Sequence, residues 1–269
     1  LLDQTSALLE EAWQLFAEDL QSDCNAETAQ ALDFLFAEHG LHNTRSLLLD
    51  FVAKRAEWWA YTEGAGDAAA FAAAALRRDL AVEPERDILA DLFADAALAI
   101  DAEEFAGWLE RGTATDLKHA EKLRKALAGR DFEAFSAVFL TGEGEPRKRE
   151  YSKALAGRVG EAGAARFLDL HRMLSARMQE AHQQLAAQAA YRLNLAGLRC
   201  GAGLLAAYQQ LKAERQTVDF TDVEWRVHQL LNRSEHAEYM QYKLDSRYRH
   251  ILLDEFQDTN PLQWQIMRS

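Results

Sequence analysis

Apolar residues recur every three or four positions along the first half of the chain. Segments TRSLLLDFVAKRAEWWAYT and VEPERDILADLFADAALAI both show this period, and Pro84 lies near the predicted helix start of the second, where its missing N–H costs little. Residues 1–140 are therefore predicted to form consecutive amphipathic helices. The first of them, TSALLEEAWQLFAEDL, places on one stripe the residues Leu8, Leu9, Ala12, Leu15, Phe16 and Leu20.

The helical pattern breaks at residues 141–150, TGEGEPRKRE. Two glycines and a proline within ten residues are typical of a loop. A long helix is predicted to follow over roughly 161–213, interrupted around GLRCGAG. Thr221 and Glu224 then have the spacing of a capping box, which predicts a helix that begins at residue 222.

The segment RHILLDE differs from everything before it, because its apolar residues are consecutive. Such a run suits a strand buried on both faces of a parallel sheet, and we predict a strand over 249–254. An acidic turn and a helix come next, with Asn260 as N-cap and Pro261 at the first helical position. One strand cannot form a sheet, so its neighbours are expected outside this chain. An unpaired strand invites pairing, so the last twenty residues are expected to be displaced, swapped or paired with a neighbour.

Composition supports a mainly α-helical fold. The chain of 269 residues has 3 prolines, where average usage would give about 13. Cys24 and Cys200 lie far apart and fit neither a CxxC pair nor a disulfide framework, which favours a reducing cytoplasm. The sequence contains no run of about 18 apolar residues that could span a membrane. The first residue is not Met, and the chain is expected to be a processed product or an excised fragment.

The charge is unevenly distributed. The formal net charge is −13, but residues 1–110 hold 6 basic and 23 acidic residues, whereas residues 111–269 hold 24 basic and 20 acidic. A polyanionic partner is therefore expected to meet the second part of the chain.

Asp254 and Glu255 come directly after the apolar run of the predicted strand. In open α/β sheets ligands bind at the carboxyl ends of the strands. An Asp at such an end can hold a Mg²⁺ ion that bridges nucleotide phosphates, and a neighbouring Glu can orient and deprotonate the attacking water. The alternative is a strand end whose acidic side chains only face solvent.

The longer string LLDEFQDTNPLQW resembles motif II of the UvrD/Rep-type superfamily 1 DNA helicases. Upstream, YQQLKAERQTVDFTDVEWRVHQLL is similar to the segment that leads into motif II in that family. FLTGEGEPRKREYSK resembles an element of the AddA/RecB helicase–nuclease branch, and LLDQTSALLEEAW resembles the segment after motif Ia in that branch. The resemblance spans the chain and is strongest over 248–264.

The resemblance implies the fold and the activity. Residues 1–215 would be a helical accessory subdomain of a helicase motor, and residues 216–269 would return to an incomplete P-loop α/β domain with one core strand. The complete protein that contains this chain would use ATP and Mg²⁺ for 3′-to-5′ translocation and unwinding of DNA in double-strand-break repair. The resemblance also allows a partner subunit of a helicase–nuclease complex. No GxxxxGK[ST] phosphate loop occurs, so the chain alone is expected to be inactive.

Roles for individual residues also come from the resemblance. Asp254 matches the Mg²⁺ ligand and Glu255 the catalytic base. Gln257 and Asp258 match positions that couple the nucleotide site to the DNA-contacting motifs. Phe220 and Asp222 match the family's DFDD element, and core packing and helix capping are the alternatives to a direct functional role for these two residues.

The predicted loop carries three consecutive basic residues, Arg147, Lys148 and Arg149. Clustered positive charge on a loop favours contact with the phosphate backbone of duplex DNA. The alternative is a solvated loop whose charge is offset by nearby acidic residues, which are Glu143, Glu145 and Glu150.

Other residues give weaker signals. His171 and His182 are eleven apart without a zinc-binding spacing, so no zinc site is expected. Trp58 and Trp59 could stack on bases, but core packing of at least one is favoured on an acidic helical segment. A non-enzymatic helical interaction module with an incidental acidic turn is the competing hypothesis.

Overall fold

The structure is a computed structural model that describes residues 5–22, 25–149, 153–233, 235–248, 250, 252, 254, 257 and 259–268. Helices dominate these residues and confirm the predicted mainly α fold. Among them the only β pairing is an isolated antiparallel bridge between Leu140 and Pro146. The helices are α1 Thr5–Asp19, α2 Ala26–Ala53, α3 Arg55–Tyr61, α4 Ala68–Asp79, α5 Ile88–Ala94, α6 Ala96–Leu109, α7 Ala114–Gly129, α8 Phe132–Ser136, α9 Lys153–Glu214, α10 Phe220–Asn232, α11 Ala237–Asp245 and α12 Pro261–Arg268.

One compact unit comprises Leu1–Asp79 and Arg192–Ser269. Its main core is formed by α1, α2 and the last third of α9, where apolar residues at helical spacing bury one face of each helix. The predicted stripe of α1 is confirmed, with three of its members buried and three partly buried. The stripe members in the core are Leu8, Ala12 and Phe16, and those packed against it are Leu9, Leu15 and Leu20.

The other compact unit comprises Leu80–Tyr191. Helices α5–α8 and the first part of α9 enclose an aromatic core centred on Phe105. The Phe105 ring stacks on Phe167, with 4.9 Å between centroids and 10° between planes. Offset stacking of buried rings adds to the stabilisation from their burial. Among the described residues, no helix is both long enough and apolar enough to cross a membrane.

The interruption of α9 lies at Gly160 and not, as predicted, around GLRCGAG. Gly160 has φ 73° and ψ 175°, a conformation that glycine adopts without steric cost. The glycines of GLRCGAG stay helical. At Gly201 a Cβ atom would lie 2.7 Å from the ring of Phe51, so the small residue there permits close helix packing. A glycine required by a positive φ and a glycine required by close packing look the same in the sequence.

Helix starts differ from prediction in two places. Pro84 lies in a turn, and α5 begins only at Ile88, where the Asp87 side chain accepts a hydrogen bond from the Ala90 N–H at 2.9 Å. Likewise α10 begins at Phe220 rather than at residue 222, because Asp219 is its N-cap.

The end of the chain partly agrees with prediction. Asn260 caps α12 as predicted: its side chain accepts from the Gln263 N–H at 2.8 Å, and the Gln263 side chain accepts from the Asn260 N–H at 3.1 Å. Of the predicted strand, only His250, Leu252 and Asp254 lie within the described residues. None of these three is in a strand, and Leu252 is 97% exposed. The strand predicted over 249–254 is therefore not formed at the residues of this segment that the structure describes. The predicted division at 215/216 stays a prediction.

Candidate functional site

The start of α10 is capped by two carboxylates. The Asp219 N–H donates to Asp222 Oδ2 and the Asp222 N–H donates to Asp219 Oδ1, each at 3.1 Å. Both side chains are buried. Reciprocal bonds of this kind satisfy two of the N–H groups that a helix start leaves without partners.

Two buried cations neutralise this cap. Lys212 Nζ lies 3.0 Å from Asp219 Oδ2 and also forms an ion pair with Asp222. Arg55 forms an ion pair with Asp219, and its Nη2 lies 3.6 Å from Asp222 Oδ1. Burial alone would raise the pKa of Asp219, but the hydrogen bond from Lys212 and the charge of Arg55 lower it. Both partners therefore keep Asp219 ionised inside the protein.

Tyr208 completes what we term the cap network, which consists of Arg55, Tyr208, Lys212, Asp219 and Asp222. The Tyr208 hydroxyl donates to Asp219 Oδ2 at 3.0 Å, and its ring centroid lies 4.8 Å from Lys212 Nζ and 5.4 Å from the Arg55 guanidinium. Burial and the neighbouring Asp219 charge raise the pKa of Tyr208, so it remains a neutral donor. The cap network thus fixes the start of α10 against α3 and α9.

The same helix holds the segment that comes after the acidic turn. Glu224 of α10 accepts hydrogen bonds from Gln263 Nε2 at 2.5 Å and from Asn260 Nδ2 at 3.2 Å. Leu262 beside them is 1% exposed. Since Asn260 and Gln263 form the cap of α12, Glu224 joins the first turn of α12 to α10.

The structure describes only part of the predicted acidic site. Asp254 and Gln257 are exposed, and Gln257 lies in a 3₁₀ turn. Glu255 and Asp258 lie outside the described residues. A carboxylate is an oxygen ligand of the kind that Mg²⁺ prefers, and the role of Asp254 as that ligand stays a prediction.

The two residues matched to the DFDD element have different environments. Asp222 is part of the cap, which confirms the capping interpretation for this residue. Phe220 is 67% exposed, so the core-packing interpretation is wrong for it.

The three basic residues of the predicted loop have unlike surroundings. Arg147 Nε donates to the carbonyl oxygens of Leu140 at 2.7 Å and Ala137 at 3.0 Å. The guanidinium of Arg149 is partly buried, 5.4 Å from the Phe105 ring centroid and 5.7 Å from that of Phe167, and burial lowers its pKa. Lys148 is exposed, and within the described chain it forms no ion pair. Two of the three side chains therefore have internal partners.

His171, Trp58 and Trp59 pack against aromatic rings, whereas His182 is exposed. His171 is buried against Phe105 and Phe139, and burial, together with the charge of Arg149, lowers its pKa to about 4. Trp58 packs on Phe51 and Trp59 on Trp225, at 5.1 Å and 5.7 Å between ring centroids, which confirms the packing interpretation. The described residues contain no group of three or more His, Cys, Asp or Glu side chains that could hold a metal ion.

Sequence reasoning did not identify the cations of the cap network. One signal was present: Tyr208 and Lys212 are four residues apart on one helix face, just ahead of two aspartates three residues apart. Arg55 is 164 residues from Asp219, and no local pattern connects them.

Comparison of the sequence with known proteins identifies its family. The family model for the UvrD/REP helicase N-terminal domain matches residues 68–269, and the chain belongs to this family. It is also 39% identical over 61 residues to the A subunit of an ATP-dependent helicase/nuclease of Desulfitobacterium hafniense, in strains DSM 10664 / DCB-2 and Y51. That segment covers 23% of this chain and 4% of each relative. No solved structure matches the chain.

Proposed function

We propose that this chain is part of an ATP-dependent DNA helicase motor and carries its motif II, DEFQDT, at residues 254–259. The observation that carries the proposal is the pair of hydrogen bonds from Asn260 and Gln263 to Glu224. They attach the helix after motif II to α10, whose start is held by the cap network. A nucleotide site needs its acidic loop fixed relative to the motor, and this attachment supplies a fixed end.

In this proposal each residue of the motif has a role. Asp254 offers a carboxylate to Mg²⁺, and Glu255 accepts the proton of the attacking water. Gln257 and Asp258 relay the state of the nucleotide site to the DNA-contacting motifs. Bound ATP with its Mg²⁺ supplies the bond that is cleaved and part of the charge neutralisation.

The sequence holds no phosphate loop, so we expect no ATPase activity from these 269 residues by themselves. The complete motor would translocate 3′ to 5′ and unwind DNA in double-strand-break repair. The two relatives are each named as one lettered subunit of a helicase/nuclease, which supports a partner subunit for the complete motor.

The basic loop is proposed to contact duplex DNA. Lys148 extends into solvent and is suited to meet a phosphate, whereas Arg147 and Arg149 bind within the protein and position the loop. The internal partners of both arginines support a positioning role, since each contact restrains the backbone on one side of Lys148.

The test uses the complete motor that contains this chain. Glu255→Gln keeps size and hydrogen-bonding shape but removes the base, so steady-state ATP turnover should fall by about 10²–10⁴-fold while ATP and DNA affinity persist. Asp254→Asn weakens the hold on Mg²⁺, so raising the Mg²⁺ concentration should relieve its defect but not that of Glu255→Gln. Glu38→Gln, which changes an exposed carboxylate of α2, serves as the charge-matched control. Near-normal turnover in Glu255→Gln would refute the assignment of Glu255 as the base.

A further inference from the structure

Three lysines succeed one another along a single face of α7. Lys118, Lys122 and Lys125 are all exposed and occupy positions i, i+4 and i+7. At a rise of about 1.5 Å per residue they are spaced by about 6 Å and 4.5 Å along the helix axis. We define them as the lysine stripe.

This face of α7 carries three lysines and one exposed acidic residue, Glu121, so its net charge is positive. Arg124, on another side of the helix, forms ion pairs with Glu103 and Glu110. No ion pair of the stripe lysines occurs among the described residues, and Glu121 is the acidic residue exposed beside them. The stripe thus keeps positive charge in a protein whose net charge is −13.

The loop that carries Lys148 contacts the first turns of α7 through the next residue, Arg149. Arg149 is 3.5 Å from His119 Nδ1 and 3.9 Å from Asp116 Oδ1, and both of these residues belong to α7. His119 is the next residue after Lys118 in the helix. The contacts of Arg149 therefore bring the basic loop to the end of α7 at which the stripe begins.

We infer that the lysine stripe and Lys148 form one surface that binds the phosphate backbone of duplex DNA. The inference rests on the proposed function and adds residues of α7 to the DNA-contacting loop. Phosphates line each strand of the duplex at regular intervals, so three lysines spaced along one helix face can each meet a phosphate. Lysine is a flexible point charge, which suits contact independent of base sequence.

The test measures binding of fluorescently labelled duplex DNA by the 269-residue chain, by anisotropy over a range of salt concentrations. The stripe variant replaces all three lysines by glutamine, which is also a good helix former: Lys118→Gln/Lys122→Gln/Lys125→Gln. It should bind duplex DNA about tenfold or more weakly at low salt. The log–log salt slope should fall by about 2–3, and adding Lys148→Gln should lower it by about one more. The charge-matched control, Lys54→Gln/Arg78→Gln/Lys243→Gln, changes exposed residues of the other compact unit and should keep the slope.

Several results would overturn the inference: an unchanged slope in the stripe variant, an equal loss in the control, or no duplex binding by the unmodified chain at low salt. A larger loss on single-stranded than on duplex DNA would contradict the assignment to duplex. Circular dichroism checks that the variants remain helical. This test is separable from that of the nucleotide site, because normal DNA binding by the stripe variant beside an inactive Glu255→Gln motor refutes the stripe alone.

Discussion

Asp219 and Asp222 each accept a hydrogen bond from the backbone N–H of the other, so two buried carboxylates cap the first turn of α10. A capping box ordinarily combines an uncharged Ser or Thr with a Glu or Gln. The helix dipole favours negative charge at this end, but it does not compensate two buried carboxylates. The ion pairs with Arg55 and Lys212 are therefore a requirement of this cap.

Removing one cation should destabilise the protein strongly. Lys212→Met leaves a buried carboxylate without its partner, and the free energy of unfolding should fall by about 3–5 kcal/mol. Urea unfolding followed by circular dichroism measures the change. The matched control is Lys243→Met on exposed α11, for which we expect a change within about 0.5 kcal/mol. Equal stability of the two variants would show that the cap does not depend on Lys212.

Glu224 should control the order of the helix after the acidic turn. Glu224→Ala removes two hydrogen bonds to a charged acceptor, each worth about 1.5–3 kcal/mol before relaxation. Amide hydrogen exchange should become faster over 260–268, while protection in α1 should not change. Glu238→Ala, which removes an exposed carboxylate from α11, provides the comparison. Unchanged exchange over 260–268 in Glu224→Ala would mean that the buried Leu262 suffices to hold α12.

The sequence correctly predicted those features of the fold that depend on residues close together along the chain. The stripe of α1 and the Asn260 cap of α12 depend on residues within a turn or two of each other. For α10 two cap patterns overlap, Asp219 with Asp222 and Thr221 with Glu224. The distant Arg55 decides between them, because its charge stabilises the aspartate pair inside the core. Glu224 is consequently available to bind the start of α12.

Other features depended on partners that sequence does not reveal. The glycines of GLRCGAG looked like a helix break, yet Gly201 is small because Phe51 packs against it. The basic run at 147–149 looked uniform, but Phe105 and Phe167 lie against one of its members. In both cases the deciding contact joins residues that are far apart in the sequence.

His171 should make stability depend on pH. Its pKa falls from 6.5 to about 4 on folding, so between these values the unfolded chain binds more protons and stability falls as the pH is lowered. The loss between pH 6.5 and 4 should be on the order of 3 kcal/mol. Urea midpoints at about pH 7, 5.5 and 4.5 test this expectation. His171→Phe suits a site lined by aromatic rings and should reduce the pH dependence, whereas exposed His42→Gln should retain it.

The last prediction separates the structural from the DNA-contacting residues of the basic loop. Arg149→Met removes a guanidinium that lies over two aromatic rings and close to Asp116, and should lower the free energy of unfolding by about 1–3 kcal/mol. Lys148→Gln changes an exposed side chain, so its stability should remain within about 0.5 kcal/mol of the unmodified protein.

When DNA binding is measured, Lys148→Gln should have the larger effect and Arg149→Met the smaller one. Lys148→Gln should lower the log–log salt slope by about one, because one phosphate contact is lost. Arg149→Lys keeps the charge but not the planar group that stacks on the rings, so it should reproduce most of the instability of Arg149→Met. A stable Arg149→Met protein that nevertheless loses one phosphate contact would contradict the positioning role and assign Arg149 to the DNA.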